Sequence, residues 1–516
     1  MKKINTPLSV ALLLFAIVAL GLFFRIYNID NTPPGIYPDE AVNGIDAIEN
    51  IYQWFYPANN GREGLFMNII AVLFQLFGVS VLMLKLPAII FGTLTILGTF
   101  LLTQQLFQKK RLAFIAAFLV ATSFWAINFS RISFRANMLP FVLAFAFYFI
   151  FRGLHTKRNY NFVLGGLFFG LGFHTYLAFR IAPVILVVWL IFLMLSRENF
   201  WKNYWKPLLI FSCATLIVAA PMAYTYLTHP EYLESRSSVS IFAPELNHGH
   251  LVQTFLRSLG LSLVKYNFWG DQNWRHNFPP YPILDPITGV FFLFGFALVI
   301  VKFFHLLTTR IFQKIRDTRL DMYALFIAWF FGMLAPEFLT AEGLPHALRS
   351  IGTLPMVFIF AALGMEYVWA KAEQHGENFR KISATVLLAI LIIVGAFNVL
   401  KYHYVWAKKV EVAQSFNKVA MNIAKYLKTV PLTTEKFIVI GPMDRIPIRL
   451  FNHDLPATYY FYPDQSDSIS PQGKKFQIIS PDKDEQRFRQ FEQKFGKLSL
   501  TEITDSFGIS FYVLAN

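Results

Sequence analysis

Long apolar segments recur between residues 8 and 400, and they restrict the fold of this chain more than any other feature. The 516-residue sequence is 55% hydrophobic and 15% charged, against about 25% charged residues in a typical soluble domain. A helix of about 20 apolar residues crosses a bilayer with its backbone polar groups bonded internally. The pattern therefore predicts a polytopic α-helical membrane protein with about 11 transmembrane helices. The predicted spans cover residues 8–26, 80–105, 112–129, 138–153, 161–177, 181–196, 207–227, 286–306, 321–338, 347–370 and 382–400.

The distribution of basic residues predicts the orientation of these spans. The formal net charge of +15 would by itself be compatible with nucleic-acid binding. The lysines and arginines instead form short clusters between apolar runs, as the positive-inside rule requires. The N-terminus, with Lys2 and Lys3, is therefore expected in the cytoplasm. We predict a multi-pass protein of the plasma membrane, with outer loops at residues 27–79 and 228–285 and no nucleic-acid partner.

Residues 401–516 differ in composition from the rest of the chain, because polar residues increase and short β-type runs appear. This change predicts a transmembrane catalytic domain at residues 1–400 and an extracytoplasmic α/β domain at residues 401–516. The C-terminal segment contains no nucleotide-binding loop, zinc motif or nucleophilic serine motif. The expected strands lie at residues 436–440, 458–462, 476–479 and 509–513, and the expected helices at residues 410–428 and 484–495.

An adjacent pair of acids, Asp39 and Glu40, follows the first predicted span and three prolines. Carboxylates at the edge of a membrane are costly and tend to mark functional sites. The prolines stiffen the loop that presents them. A helical pattern runs from Ala41 to Phe55, so Asp39 is also expected near a helix N-cap, where a carboxylate is favoured. The pair is thus either a helix cap or a functional site.

Several cations lie on the predicted outer side, where the positive-inside rule disfavours them. Together they suit a lipid with a phosphate headgroup, because arginine forks and lysine charges bind phosphate well. The alternative is that they extend to anionic lipids or pair with Asp39, Glu40, Glu63 and Glu342. These cations are Arg62, Lys85, Arg131, Arg135, Arg180, Arg275 and Arg349.

Two outer loops contain further candidate residues. His346 and Arg349 are three residues apart at the expected start of span ten, where a helix N-terminus would favour an anion. The loop at residues 265–286 mixes aromatic and polar side chains, which suits a sugar ring but is also typical of an interfacial aromatic belt. Its candidates are Trp269, Asp271, Trp274, Arg275 and His276. A metal site at His248 and His250 is disfavoured, because no acid has ligand spacing.

The first 360 residues resemble a known family. The order is an apolar span, Pro38-Asp39-Glu40-Ala41, Gly64-Leu65-Phe66-Met67-Asn68, and then Leu84-Lys85-Leu86-Pro87. This layout is similar to GT-C glycosyltransferases of the protein O-mannosyltransferase and aminoarabinose transferase type. The acid after the first span corresponds to Asp39, and the cation of the Leu-Arg-Leu-Pro stretch to Lys85. The chain departs from the family at Glu63-Gly64-Leu65, where Pro-Pro-Leu is usual, and at Asn137, where an acid is often found.

The resemblance implies transfer of a sugar from a dolichyl- or undecaprenyl-phosphate donor to a protein, glycan or lipid acceptor on the outer face. Asp39 is then expected as the general base and Glu40 as its orienting partner, with inversion at the anomeric carbon. A divalent cation such as Mg²⁺ or Mn²⁺ is compatible with this chemistry. The expected phosphate-binding residues are Lys85, Arg131, Arg135, His346 and Arg349, and the expected sugar- or acceptor-binding residues are Trp269, Asp271, Trp274, Arg275 and His276.

Two other classes of protein have many spans and intramembrane charges. One is a lipid-linked glycan transporter or flippase, although the chain shows no inverted repeat with broken helices. The other is a non-catalytic membrane sensor with an outer ligand-binding domain. Transfer of sugar from a labelled polyprenyl-phosphate donor would distinguish an enzyme from both.

The predicted orientation can be tested with topology reporters fused at the basic clusters. Reporters after Lys110, Arg158, Lys202, Arg316 and Lys381 should show a cytoplasmic location, because each follows a cluster of positive charges. A reporter at Asn516 should show an outer location. A cytoplasmic signal at Asn516 would contradict the odd number of spans.

Overall fold

The computed structural model describes residues 6–49, 52–58, 61–233, 239–473 and 475–516. The chain forms two compact units, each assembled from segments that are separate in sequence. The first unit comprises Met1–Tyr27, Gln53–Phe66 and Lys85–Tyr402. The second unit comprises Asn28–Tyr52, Met67–Leu84 and His403–Asn516.

Helices account for most of the described chain. The α-helices are α1 (Pro7–Ile26), α2 (Pro38–Glu49), α3 (Leu65–Phe77), α4 (Val81–Phe107), α5 (Lys110–Thr122), α6 (Phe124–Ser130), α7 (Met138–Thr156), α8 (Asn159–Gly172), α9 (Ala182–Ser196), α10 (Phe200–Thr228), α11 (Pro244–Asn247), α12 (Leu251–Val264), α13 (Pro286–Phe312), α14 (Arg319–Phe338), α15 (Leu354–Glu373), α16 (Glu377–Leu400), α17 (Val410–Ser415), α18 (Lys418–Leu427), α19 (Arg445–Phe451) and α20 (Glu485–Phe495). The strands are β1 (Phe55–Tyr56), β2 (Arg62–Glu63), β3 (Glu435–Val439), β4 (Thr458–Phe461), β5 (Phe476–Ser480), β6 (Ser499–Thr504) and β7 (Ser510–Ala515).

The polytopic architecture is confirmed, with fewer spans than predicted. Within the described residues, nine helices are long and apolar enough to cross a membrane, or ten if α5 and α6 form one bent span. The difference lies at the predicted span 161–177, where α8 has only 14 residues. A helix of that length extends about 21 Å, less than the hydrocarbon thickness of about 30 Å.

The bend between α5 and α6 is the main irregularity among the spans, and it measures 57°. A break at Ser123 leaves nearby backbone groups without their usual helical partners. Arg25 supplies donors, with Nη1 3.1 Å from the carbonyl oxygen of Ala121 and Nη2 3.3 Å from that of Val120. On the other side of the break, the amide of Phe124 donates to Oδ1 of Asn398 at 3.4 Å. Polar side chains from distant helices therefore stabilise the bend.

The first unit also positions two loops that carry candidate site residues. One loop, residues 265–285, joins α12 to α13, and the other, residues 339–350, follows α14. The first loop closes on itself at its base. There the amide of Ile283 donates to the carbonyl of Lys265 at 3.0 Å, and the amide of Leu284 donates to the carbonyl of Tyr266 at 3.2 Å. Helix α12 lies inside the long predicted outer loop, where no helix is predicted.

The second unit contains a five-stranded sheet in the order β4-β3-β5-β7-β6. Strand β3 is parallel to β4 and β5, whereas β7 is antiparallel to β5 and β6. The four predicted strands are confirmed, and β6 is an additional, mostly exposed edge strand. The helix predicted at residues 410–428 divides at Asn417, whose φ of 52° interrupts helical geometry.

Helix α2 begins earlier than the sequence predicts. It starts at Pro38, so Asp39 is its second residue and not its N-cap. Proline is favoured in the first turn of a helix, because its fixed φ is helical and the first amide needs no partner there. Glu40 is buried and accepts a hydrogen bond from the amide of Tyr37 at 3.1 Å. This bond resembles the reciprocal half of a capping box.

Arg25 can be tested as the side chain that stabilises the bend. Arg25→Met keeps an unbranched chain but leaves two buried carbonyls without donors, at a cost of about 1–3 kcal/mol each. We expect a lower unfolding midpoint for the purified protein in detergent. Arg257→Met on the exposed face of α12 is the matched control and should leave the midpoint unchanged. Equal midpoints for the two variants would contradict the assigned role.

Candidate functional site

Two loops of the first unit bring Asp271, His276 and His346 together. One potential ligand atom from each residue lies within 4.8 Å of the other two. Nδ1 of His276 is 3.1 Å from Oδ2 of Asp271, and Nδ1 of His346 is 4.0 Å from the same oxygen. The rings of His276 and His346 are 4.8 Å apart. A carboxylate and two imidazoles in this arrangement can bind a divalent metal ion or act as a hydrogen-bonded acid–base group.

Asp271 is buried and accepts hydrogen bonds from several directions. Its Oδ2 accepts from the amide of Ala347 at 2.8 Å, and its Oδ1 accepts from the amide of Asn273 at 2.8 Å. Burial raises the pKa of Asp271, but the hydrogen bonds from His276 and from the Ala347 amide lower the pKa by a larger amount. The net pKa lies below the usual value, so the side chain is a carboxylate at neutral pH.

His346 has an unpaired nitrogen that faces this carboxylate. Its Nδ1 is buried and makes no hydrogen bond within the part of the chain that the structure describes. Burial, together with the charge of His276, holds the pKa of His346 well below its usual value, although Asp271 acts in the opposite direction. The imidazole is therefore neutral at pH 7, and its nitrogen lone pair can bind a cation.

Glu337 and Lys265 form a fully buried ion pair beside this cluster. The other carboxylate oxygen of Glu337, Oε1, accepts from the amide of His346 at 2.9 Å. Sequence reasoning did not single out either residue. The signal was present, since an acid in the last turn of an apolar span is costly without a partner.

Three of the predicted phosphate-binding cations lie on α4 or on the segment between α6 and α7. Arg131 is buried, and its Nη1 donates to the carbonyls of Phe24 and Arg25 at 2.9 Å each, at the end of α1. Arg135 pairs with Glu63, with Nε 2.7 Å from Oε2. Lys85 is buried in α4.

His346 and Arg349 are not at a helix N-terminus, contrary to the prediction. They lie in a turn before a 3-10 segment at Ile351–Thr353, and α15 begins only at Leu354. Pro355 is the second residue of α15, where its missing amide needs no helical partner. The guanidinium of Arg349 donates instead to the carbonyl of Glu342.

The predicted sugar-binding residues have different environments. Asp271 and His276 are buried, whereas Trp269 is exposed. Trp274 lies 5.5 Å from the ring of Phe278, and Nε of Arg275 donates to Oδ1 of Asn273 at 3.0 Å. The two acids of the first loop, Asp39 and Glu40, are in α2 of the second unit, where the side chain of Asp39 is partly exposed.

Comparisons with known proteins address the fold and the class. Residues 65–224 match the family described as dolichyl-phosphate-mannose-protein mannosyltransferase. ArnT from Cupriavidus metallidurans bound to undecaprenyl phosphate is similar, with a TM-score of 0.58 and 12% identity over 99% of this chain and 98% of that chain. The apo ArnT of the same organism gives a TM-score of 0.52 at 12% identity over 98% and 97% of the two chains.

An archaeal protein has a similar fold. The oligosaccharyltransferase AglB from Archaeoglobus fulgidus, in complex with an inhibitory peptide and a dolichol-phosphate, gives a TM-score of 0.50 at 14% identity. That alignment covers 98% of this chain and 74% of AglB. No curated protein matches the chain significantly by sequence.

The apolar helices and the similarity to ArnT together show a multi-pass membrane protein with the fold of ArnT. The family match covers residues 65–224 of the 516, and the similarity to ArnT, at 12% identity, shows a shared fold. The predicted fold class, a polytopic α-helical protein with a C-terminal sheet domain, is thereby confirmed.

Proposed function

We propose that this protein transfers a sugar from a polyprenyl-phosphate donor to an acceptor on the outer face of the membrane. The observation that carries the proposal is the match of residues 65–224 to dolichyl-phosphate-mannose-protein mannosyltransferases. The undecaprenyl phosphate of ArnT and the dolichol-phosphate of AglB support a lipid-phosphate donor. The inhibitory peptide of AglB is compatible with a protein acceptor.

In the proposed reaction, an acceptor hydroxyl attacks the anomeric carbon while the bond from that carbon to the phosphate oxygen breaks. Asp39 takes the hydroxyl proton, and the polyprenyl phosphate leaves with the bonding electron pair. A single displacement of this kind inverts the anomeric carbon. Asp39 can accept the proton because its carboxylate is partly exposed in the first turn of α2. Glu40 supports the turn through its bond to Tyr37.

Phosphate departure requires positive charge, and we assign this role to the predicted cations Lys85, Arg131, Arg135 and Arg349. A planar guanidinium can donate two hydrogen bonds to one phosphate, and such bonds are among the strongest in proteins. Trp269, Trp274 and Arg275 remain our candidates for contacts with the sugar or the acceptor. Their aromatic faces and donors suit the apolar and polar edges of a sugar ring.

Asp271, His276 and His346 would hold a divalent metal ion in this proposal. Their side chains fit one, because the buried Nδ1 of His346 makes no hydrogen bond among the described residues and Asp271 is ionised. Two imidazoles and one carboxylate favour Mn²⁺ or Zn²⁺ over Mg²⁺, which prefers oxygen ligands and retains water. A bound metal ion would supply positive charge that offsets the charge of the leaving phosphate.

The function is tested with purified protein and a labelled polyprenyl-phosphate sugar, with mass spectrometry following the released polyprenyl phosphate. Asp39→Asn keeps the size of the side chain but cannot take a proton, so turnover should fall by about 10²–10⁴-fold. Donor affinity should change little, because cations hold the phosphate. Asp30→Asn, in the exposed part of the same loop, is the matched control. Normal turnover by Asp39→Asn would assign the base to another residue, and no release by the wild type would contradict the function.

The metal proposal is tested by Mn²⁺ titration of the metal-free protein, followed by calorimetry or electron paramagnetic resonance. His346→Ala removes one of three ligands and should weaken Mn²⁺ binding by at least about 100-fold, with His276→Ala behaving in the same way. The double variant His248→Ala/His250→Ala is the control, since those side chains lie in the exposed segment before α12. Equal affinities for all variants would exclude the cluster as the metal site.

A further inference from the structure

The buried ion pair between Lys265 and Glu337 is unusual in its complete burial, since neither side chain is exposed to solvent. Nζ of Lys265 also donates to the carbonyl of Ser262 at 3.0 Å and lies 4.5 Å from the centre of the Tyr266 ring. Removing two charges from water is costly, and an apolar pair of similar size is often as stable. Stability alone therefore gives little reason for the pair.

The two carboxylate oxygens of Glu337 accept hydrogen bonds from two different partners. Oε2 accepts from Lys265, and Oε1 accepts from the amide of His346 at 2.9 Å. The next amide, that of Ala347, donates to Oδ2 of Asp271 at 2.8 Å. Two consecutive amides of the loop at residues 339–350 are thus held by carboxylates from two different segments.

Lys265 also takes part in the hydrogen bonds that close the loop at residues 265–285. Its carbonyl accepts from the amide of Ile283 at 3.0 Å. The neighbouring Tyr266 places its hydroxyl 2.8 Å from Oγ1 of Thr353, just before α15. The ion pair therefore connects the loop that carries Asp271 and His276 with the last turn of α14.

We propose that Glu337, anchored by Lys265, is a positioning residue that holds the backbone of His346 against Asp271 and His276. The bond from the His346 amide to Oε1 orients the peptide from which this imidazole projects, and Lys265 fixes the carboxylate that accepts it. The expected effect of Glu337 on metal binding rests on the proposed function, in which the cluster holds a metal ion. The loop position itself is measured independently.

The experiment compares two double variants that both remove the charges. Lys265→Met/Glu337→Gln keeps an oxygen that can accept from the amide of His346. Lys265→Met/Glu337→Leu removes that oxygen but retains apolar bulk, so neither variant leaves an unpaired buried charge. Hydrogen–deuterium exchange of the peptide at residues 339–350 reports the loop in the full-length protein without any ligand.

We expect exchange at His346 and Ala347 to become at least about tenfold faster in the leucine variant, and to stay within about threefold of wild type in the glutamine variant. Mn²⁺ affinity should follow the same order, with a loss of about 10–100-fold in the leucine variant. Thermal unfolding of both variants shows whether the fold is retained.

A matched control exists at the other end of the same helix. Arg197 pairs with buried Asp321 at 3.0 Å, and Asp321 lies about 24 Å from Glu337 along α14 at about 1.5 Å per residue. Arg197→Met/Asp321→Leu should leave exchange of the 339–350 peptide unchanged. The proposal would be overturned if the 339–350 peptide exchanged equally fast in the leucine and glutamine variants. It would also be overturned if the Arg197→Met/Asp321→Leu control accelerated this exchange as much as the leucine variant does. Failure of the proposed function would appear separately, as a wild type with normal protection that releases no polyprenyl phosphate.

Discussion

The need to satisfy every backbone polar group away from water governs this structure, because a bilayer offers no water to replace a missing partner. The bend between α5 and α6 is tolerated only because Arg25 and Asn398 supply the missing hydrogen bonds. Asn398 also donates to Oδ2 of Asp285, whose Oδ1 caps α13 through the amide of Thr288. The side chain of Asn398 in α16 therefore connects α16 with α6 and, through Asp285, with the start of α13.

The buried charges of the first unit are also provided with partners. Several of them form ion pairs with one another or hydrogen bonds with the ends of helices. Arg131 satisfies carbonyls at the end of α1, Arg135 neutralises Glu63, and Arg197 neutralises Asp321. Isolated charges in this environment are expensive, so pairing is the expected arrangement. These contacts explain the positions of Arg131 and Arg135 on the predicted outer side.

The cluster of Asp271, His276 and His346 differs from these ion pairs, because one of its buried polar atoms makes no hydrogen bond among the described residues. Asp271 remains ionised despite its burial, and His346 remains neutral with a nitrogen that has no hydrogen-bond partner among the described residues. Opposite protonation preferences within one small volume are typical of sites that bind a cation or move a proton. The backbone around His346 is fixed by two carboxylates, which gives the cluster a defined geometry before any ligand arrives.

Hydropathy and residue periodicity determined the membrane-spanning architecture and four strands of the C-terminal sheet, and short motifs carried the family resemblance, because these features depend on residues near one another in sequence. The sequence-based predictions were wrong where the backbone departs from regular geometry. Examples are the short helix α8 and the late start of α15. The sequence also selected Asp271, His276 and His346, but it assigned them to separate sugar and phosphate roles. Only the tertiary structure joined them, since Asp271 and Ala347 are 76 positions apart. Their contact depends on the packing of the two loops around the buried pair of Lys265 and Glu337, which no local pattern encodes.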